Sequence, residues 1–243
     1  MEKQLIADFF TEEKKHWWHL AKRALIKQFI QGRNLNILVA GLGGGMICEE
    51  LRVAGHHVIG LDISPISCEY ARKKIGIPVI NGDLENLLPF KNESFDFIIL
   101  ADVLEHLDND KKLLAEASGC LKSRGIVIIT VPAYVHMWSY WDKRLNHKRR
   151  YSLAVIKNKL VEAGLSVMKA SYFHMLLYPF VYIYRIILRL LKNENPEKSD
   201  FSVIPSRTVS GLLAFYYVLE RRLLKITGLP FGLSILAVGV KHG

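Results

Sequence analysis

The chain has 243 residues, half of them hydrophobic and 23% charged, which supplies one substantial core. These values exclude the disordered and low-complexity classes, and no internal repeat is present. Lys and Arg outnumber Asp and Glu 33 to 23, and the resulting +10 favours an anionic partner: a polyanion, an acidic membrane surface or a phosphorylated substrate.

In chain order, MEKQLIADFFTEEKKHWW is charged throughout and lacks the apolar segment of a signal peptide, so a cytoplasmic protein is expected. Residues 2–30 read as helical, with Trp17, Trp18, Leu20, Ala21, Ala24 and Leu25 as a buried stripe. Then an alternation begins: strand Asn36–Ala40, helix Met46–Ala54, strand His57–Leu61, helix Ser67–Lys74, strand Pro78–Asn81. Phe95–Leu100 is a further strand, and Asp110–Leu121 a helix ended by a Ser123-Arg124-Gly125 turn. Gly125–Val131 is a β-branched strand, Ser152–Ala163 a helix stopped by Gly164, Leu165–Tyr172 a strand and Leu233–Val240 the last strand. Cys48, Cys68 and Cys120 are scattered, which fits neither a disulfide framework nor a zinc site and suits a reducing compartment.

Near-continuous apolar strands alternating with helices predict a mostly parallel sheet covered on both faces. One domain over 1–243 is expected, with a helical cap over 1–32 and a helical insert over 174–230 between the last two strands. The insert holds helices near 174–192 and 208–226, joined by a polar loop Asn193–Pro205. Its first helix is apolar and aromatic, with Arg185, Arg189 and Lys192 towards one end and Pro179 delimiting its start. Such a helix packs on the domain, covers an apolar substrate or lies at a lipid interface. Peripheral membrane contact through 174–192 and 208–226 is therefore one expectation.

NILVAGLGGGMICEEL places a glycine loop at the end of the first strand, where open α/β sheets bind ligands. Gly41 and Gly43 match two positions of a dinucleotide fingerprint, but Met46 stands where its third glycine belongs. The loop alone leaves a dinucleotide, another adenosine cofactor or a structural turn open. Asp62 ends the second strand, where an acid can accept from both ribose hydroxyls of either cofactor type, with Ile63 beside it. Asp83 follows the third strand, where a carboxylate can accept from the adenine amine while Leu84 packs on the ring.

With Ser94-Phe-Asp-Phe-Ile-Ile-Leu-Ala-Asp-Val-Leu-Glu-His-Leu107 and Leu121-Lys-Ser-Arg-Gly-Ile-Val-Ile-Ile-Thr-Val-Pro132, the motifs fall in one family's order. Over roughly 16–173 and 233–240 the chain resembles the class I S-adenosylmethionine-dependent methyltransferases. The resemblance implies a doubly wound, Rossmann-like sheet of seven strands, the last antiparallel and inserted beside the fifth. It implies S-adenosylmethionine as cofactor and S-adenosylhomocysteine as product. Gly41, Gly43 and Gly45 would line the methionine and ribose. Asp62 with Ile63 would hold the ribose, Asp83 with Leu84 the adenine, and Ala101 with Asp102 would approach the sulfonium. Arg23, on a helix that closes over the cofactor in relatives, would pair with its carboxylate, or be a solvated charge.

Methyl transfer chiefly needs alignment, and a hydroxyl or amine acceptor adds a general base. His106 and His147 are the candidates by position, although a histidine bonded to a loop carbonyl would look the same. Tyr134, Arg149 and Arg150 are the candidate acceptor contacts, the arginines for a phosphate, carboxylate or lipid head group. A small or lipid-linked acceptor is expected, with O-methylation favoured, and nucleic acid is not the expected partner. Quinone-pathway relatives suggest Asp102, Glu105 and His106 as a metal cluster, but Asp102 stands where their pattern has glutamate, so no metal is expected. A nicotinamide-dependent oxidoreductase and a non-catalytic cofactor-binding member are the alternatives.

Overall fold

A computed structural model of the chain describes residues 13–14, 16–191 and 207–243. The start of the expected N-terminal helix (2–12), Lys192 and the expected loop 193–205 lie outside the described residues.

The elements run α1 (Trp17–Lys27), β1 (Asn36–Ala40), α2 (Met46–Val53), β2 (His57–Asp62), α3 (Pro65–Tyr70), β3 (Val79–Asn81), β4 (Phe95–Ala101), α4 (Asp110–Cys120) and β5 (Leu121–Pro132). There follow α5 (Tyr140–Arg144), α6 (Leu153–Glu162), β6 (Leu165–Phe173), α7 (Leu177–Leu190), α8 (Arg207–Ile226) and β7 (Ser234–Lys241). The strands form one seven-stranded sheet in the order β3-β2-β1-β4-β5-β7-β6. β7 runs antiparallel between β5 and β6, and the other neighbouring pairs are parallel. The doubly wound, Rossmann-like arrangement implied by the motifs is thus the fold of the protein.

The period of two sorts each strand's side chains between two cores. Leu38, Ala40, Ile98, Leu100, Ile235 and Ala237 face one layer, where Leu113, Leu114 and Ala117 of α4 and Ile156 and Leu160 of α6 cover them. Ile37, Val39, Phe97, Ile99, Leu236 and Val238 face the other, covered by Leu25 and Ile26 of α1, Ile47 and Leu51 of α2, and Leu224 of α8. Each such Leu or Ile contributes about 1.5–3 kcal/mol by leaving water. Alternate strand residues therefore pin the register, and with it the positions of the strand ends.

Local signals set the helix starts. Ser64 Oγ accepts from Ser67 N (3.3 Å) ahead of Pro65, and Asn109 Oδ1 accepts from Lys112 N (3.1 Å). Two expectations are corrected. The helix expected over Ser67–Lys74 starts at Pro65 and loosens into a π-helical turn over Ala71–Ile75 before Gly76. The expected turn at Ser123–Gly125 is a bulge within β5: Phe95 pairs with Leu121 and Phe97 with Ile126, so the residues between are pushed out. Lys122 then reaches Asp96 at 2.9 Å, and Arg124 takes the positive φ (+61°) that the bulge needs.

Candidate functional site

β4, β5 and β6 end along one edge of the sheet, and a non-glycine residue with positive φ stands just past each. These are Asp102 (+55°), Tyr134 (+59°) and His174 (+61°). Such backbones cost about 1–3 kcal/mol each and persist only where neighbours over-determine them. Here Asp102 N donates to Thr130 O (2.9 Å), Tyr134 N to Tyr151 O (2.8 Å) and His174 N to Glu220 Oε1 (2.5 Å). The three strained residues thus stand at the edge of the sheet at which the glycine loop also lies.

The loop after β1 has positive φ at Gly41 (+83°) and Gly45 (+76°), and a Cβ on either would come within 2.4 Å of Val103 or Ile75. Asp62 ties this loop to β2: its Oδ2 accepts from Leu42 N (2.6 Å) and its Oδ1 from Ser64 N (2.7 Å). Burial pushes the Asp62 carboxyl up, and the backbone N–H groups of Ser64, Leu42 and Gly43 pull it back. A carboxylate has about four acceptor positions, so at least one stays open to a ligand hydroxyl. Asn81, which the sequence did not single out, donates to the carbonyls of Asp62 (2.9 Å) and Ile63 (3.0 Å) and fixes the turn beyond β2. Ile63 is left exposed on that turn. Asp83 starts a turn of its own, accepting from Glu85 N (2.9 Å), and Leu84 packs beside it on the core.

α1 lies over this edge, and its neighbouring cations Lys22 and Arg23 take different partners. Lys22 ion-pairs with Asp102, whose other oxygen accepts from Thr130 Oγ1 (2.8 Å). Burial opposes the Asp102 charge, but the Lys22 ammonium and these hydrogen bonds hold its carboxyl below the ordinary range. Arg23 is buried with Nε on Glu50 (2.8 Å) and Nη1 on the Glu13 carbonyl (2.6 Å). The Glu13 side chain accepts from Gly44 N of the glycine loop. Loop N–H groups that hold one carboxylate in this way suit the carboxylate of an amino-acid-bearing cofactor. The sequence alone did not single out Lys22 or Glu13, because a charge on an amphipathic helix looks the same whether solvated or turned inward.

His106 and His147 meet past β4 and β5, ring centroids 4.8 Å apart and near-perpendicular. His147 Nδ1 lies 2.9 Å from Asp142 Oδ1. Burial and then the nearby His147 push the His106 imidazole below its ordinary value of 6.5. Glu105, buried with no hydrogen-bond partner for either side-chain oxygen among the described residues, has its carboxyl pushed well up by burial and then by the Asp102 charge. The ligand atoms of Glu105, His106 and His147 lie within 4.8 Å of one another. Asp102, which quinone-pathway relatives would add to that cluster, is bonded to Lys22 and Thr130 instead.

The two arginines expected to anchor the acceptor each meet acids and carbonyls of the chain. The Arg150 side chain is largely covered, with Nε on Asp142 (2.7 Å) and Nη1 on the Ala133 carbonyl (3.0 Å). Arg149 reaches the Asp108 carbonyl (3.1 Å) and Asp110 (3.6 Å). Clustered cations and acids distant in sequence here neutralise one another. Tyr134 does lie at the edge, stacked on Tyr172 with centroids 4.9 Å apart.

Residues 38–129 match a family model described as a methyltransferase domain. The chain is 35% identical over 154 residues to an uncharacterized protein, MJ1123, of Methanocaldococcus jannaschii, covering 60% of this chain and 69% of that one. It is 30% identical over 112 residues to a ubiquinone biosynthesis O-methyltransferase of Bartonella quintana, and the match spans 44% of each chain. A solved S-adenosylmethionine-dependent methyltransferase from Mesorhizobium loti superposes with a TM-score of 0.63 over 94% of this chain and 99% of its own at 17% identity, a likeness of fold. The chain belongs to the class I S-adenosylmethionine-dependent methyltransferases.

Proposed function

We propose that the protein methylates an oxygen atom of a small acceptor that is anionic or linked to a lipid. S-adenosylmethionine, when bound, supplies a methyl group on a positively charged sulfur that leaves without protonation. The chain's own work is then to hold, align and deprotonate. On this reading Asp62 accepts from the ribose hydroxyls, and Asp83 accepts from the adenine amine. Ile63 and Leu84 flank the ring, and Gly41, Gly43 and Gly45 let the backbone come close. Ala101 and Asp102 border the reacting end.

The observation that carries the oxygen assignment is the His106–His147–Asp142 arrangement beside Asp102. Asp142 orients the His147 ring, and an imidazole next to it is suited to take the proton of a hydroxyl as its oxygen attacks. The match to O-methyltransferases of ubiquinone biosynthesis supports the same choice. A lipid-linked acceptor is supported by the insert. α7 exposes Phe180, Ile183, Ile187 and Leu190, and α8 exposes Phe215 and Ile226. The one acid of these two helices, Glu220, is buried. No helix among the described residues is long and apolar enough to cross a membrane, so a lipid would be met at its surface.

Incubating the protein with methyl-labelled cofactor and cell extract, then identifying the labelled product, tests this. A methyl ether or ester on a small or lipid-linked molecule is expected; a label on nitrogen, on carbon or on nucleic acid overturns it.

The orphaned Glu105 carboxylate favours a second reading, in which Glu105, His106 and His147 hold a divalent cation that polarises the acceptor oxygen. Activity lost to a chelator and restored by one divalent metal selects this reading; activity indifferent to chelation removes it.

A further inference from the structure

We propose that Glu13 and Lys22 occupy the methionine end of the cofactor site as an internal zwitterion, which must withdraw before S-adenosylmethionine binds. The proposal rests on the site assignment above, in which the glycine loop and the end of β4 receive the amino-acid part of the cofactor.

Two contacts of opposite sign carry it. Glu13 sets its carboxylate on the Gly44 N–H, at the loop that opens α2. Backbone N–H groups and the helix dipole favour an anion at this place. Nine positions further along the chain, Lys22 sets its ammonium on Asp102 at the end of β4. The amino-acid end of the cofactor carries the same pair of groups, one carboxylate and one ammonium.

The surroundings agree. Glu13 is 8% exposed, and burial pushes its carboxyl up against the opposing pull of Lys22, Gly44 and Arg23. Arg23, which family resemblance assigns to the cofactor carboxylate, holds the Glu13 main-chain carbonyl at 2.6 Å. The segment thus fills the anion position and engages the cation expected to serve it. At the other end, Lys22 and an incoming sulfonium would set two positive charges beside Asp102, and their repulsion favours release of the helix. A site that is open only part of the time binds with an affinity lowered by the open fraction, so weakening the plug tightens binding.

S-adenosylhomocysteine is titrated into the full chain by calorimetry, for Glu13→Gln, Lys22→Met and the double variant. Tighter binding is expected in each, about tenfold in the double variant. Trp17 and Trp18 lie on α1, so stopped-flow tryptophan fluorescence follows the withdrawal. The gain is expected in the association rate, with dissociation unchanged. Unchanged or weaker binding in the variants overturns the plug and makes Glu13 and Lys22 ordinary structural groups or direct cofactor ligands. Asp62→Ala separates the two levels. If it weakens binding while the plug variants fail to tighten it, the plug alone falls. If it leaves affinity unchanged, the site assignment falls, and the proposal with it. Should Glu13→Gln fail to fold, as judged by circular dichroism, Lys22→Met carries the test.

Discussion

Trp18 lies on His174, the two ring centroids 3.7 Å apart and the planes 26° from parallel. The contact joins α1 to the residue just past β6. His174 is fully buried, and neither ring nitrogen has a hydrogen-bond partner among the described residues. Burial, and then the charge of Lys22, hold its imidazole well below the ordinary value of 6.5. His19 is pushed down to about 3, first by burial and then by Lys22.

The sign of the resulting pH dependence follows. Below pH 6.5 the unfolded chain takes a proton on His174 that the folded chain refuses, so stability falls as pH falls through that range. Each such group contributes up to about 1.4 kcal/mol per pH unit. Urea midpoints should therefore drop between pH 7.5 and pH 5.5. His174→Phe should lose about 1 kcal/mol less over the same interval than the parent. An equal drop in both proteins would mean that His174 accepts its proton in the folded state.

Asp62 accepts two backbone N–H groups and, on the proposed reading, the ribose hydroxyls as well. A hydrogen bond to a charged group is worth about 1.5–3 kcal/mol. Asp62→Asn, which keeps the shape, should weaken S-adenosylhomocysteine binding by about tenfold or more in calorimetry, with a smaller change in Tm. An affinity within twofold of the parent would remove the ribose role.

Arg150 separates a structural cation from an acceptor anchor. Its guanidinium pairs with Asp142, itself fully enclosed, and satisfies the carbonyl of Ala133 where the chain leaves β5. Removing one partner of a buried pair costs about 3–5 kcal/mol. Arg150→Met should therefore lower Tm by about 6–20 °C. A normal Tm with a raised KM for the acceptor would restore the anchoring role that the sequence suggested.

Period and order were readable along the chain; partners across it were not. The apolar strands of the central sheet declare themselves because both faces are covered, which leaves no polar alternation to confuse. Asp62 and Asp83 could be placed because a strand end fixes where the next residue stands. Lys22 and Arg23 are neighbours on one helix, and nothing local distinguishes them: Glu50 captures one and Asp102 the other. The basic run 143–150 looked like an anion site for the same reason. Asp142 adjoins it, but the acids that meet Lys148 and Arg149, which are Glu85, Asp108 and Asp110, lie more than 30 residues away in sequence and arrive only through the fold. His174 carried no signal beyond its place after a strand, and its positive φ is not a pattern of residue types.

The insert yields the last expectation, and the structure shifts which residues should carry it. Arg185 is buried with Nη1 on the Met137 carbonyl, and Arg189 binds the carbonyls of His136 (2.9 Å) and Trp138 (2.6 Å). Both hold α7 to the turn after β5, so they are poorly placed to meet a charged lipid head group. The outward stripe is apolar instead: Phe180, Ile183, Ile187 and Leu190 recur at helical spacing, with Arg222 and Lys225 exposed on α8. Insertion of such side chains into an interface is worth roughly 1 kcal/mol or more apiece. Phe180→Ser, Ile183→Ser and Ile187→Ser combined should cut co-sedimentation with phosphatidylglycerol-containing vesicles by tenfold or more. Arg189→Gln should lower Tm while leaving sedimentation close to the parent. Equal sedimentation of the triple-serine variant and the parent would show that this face does not meet lipid, and would leave α7 as a cover over the acceptor site.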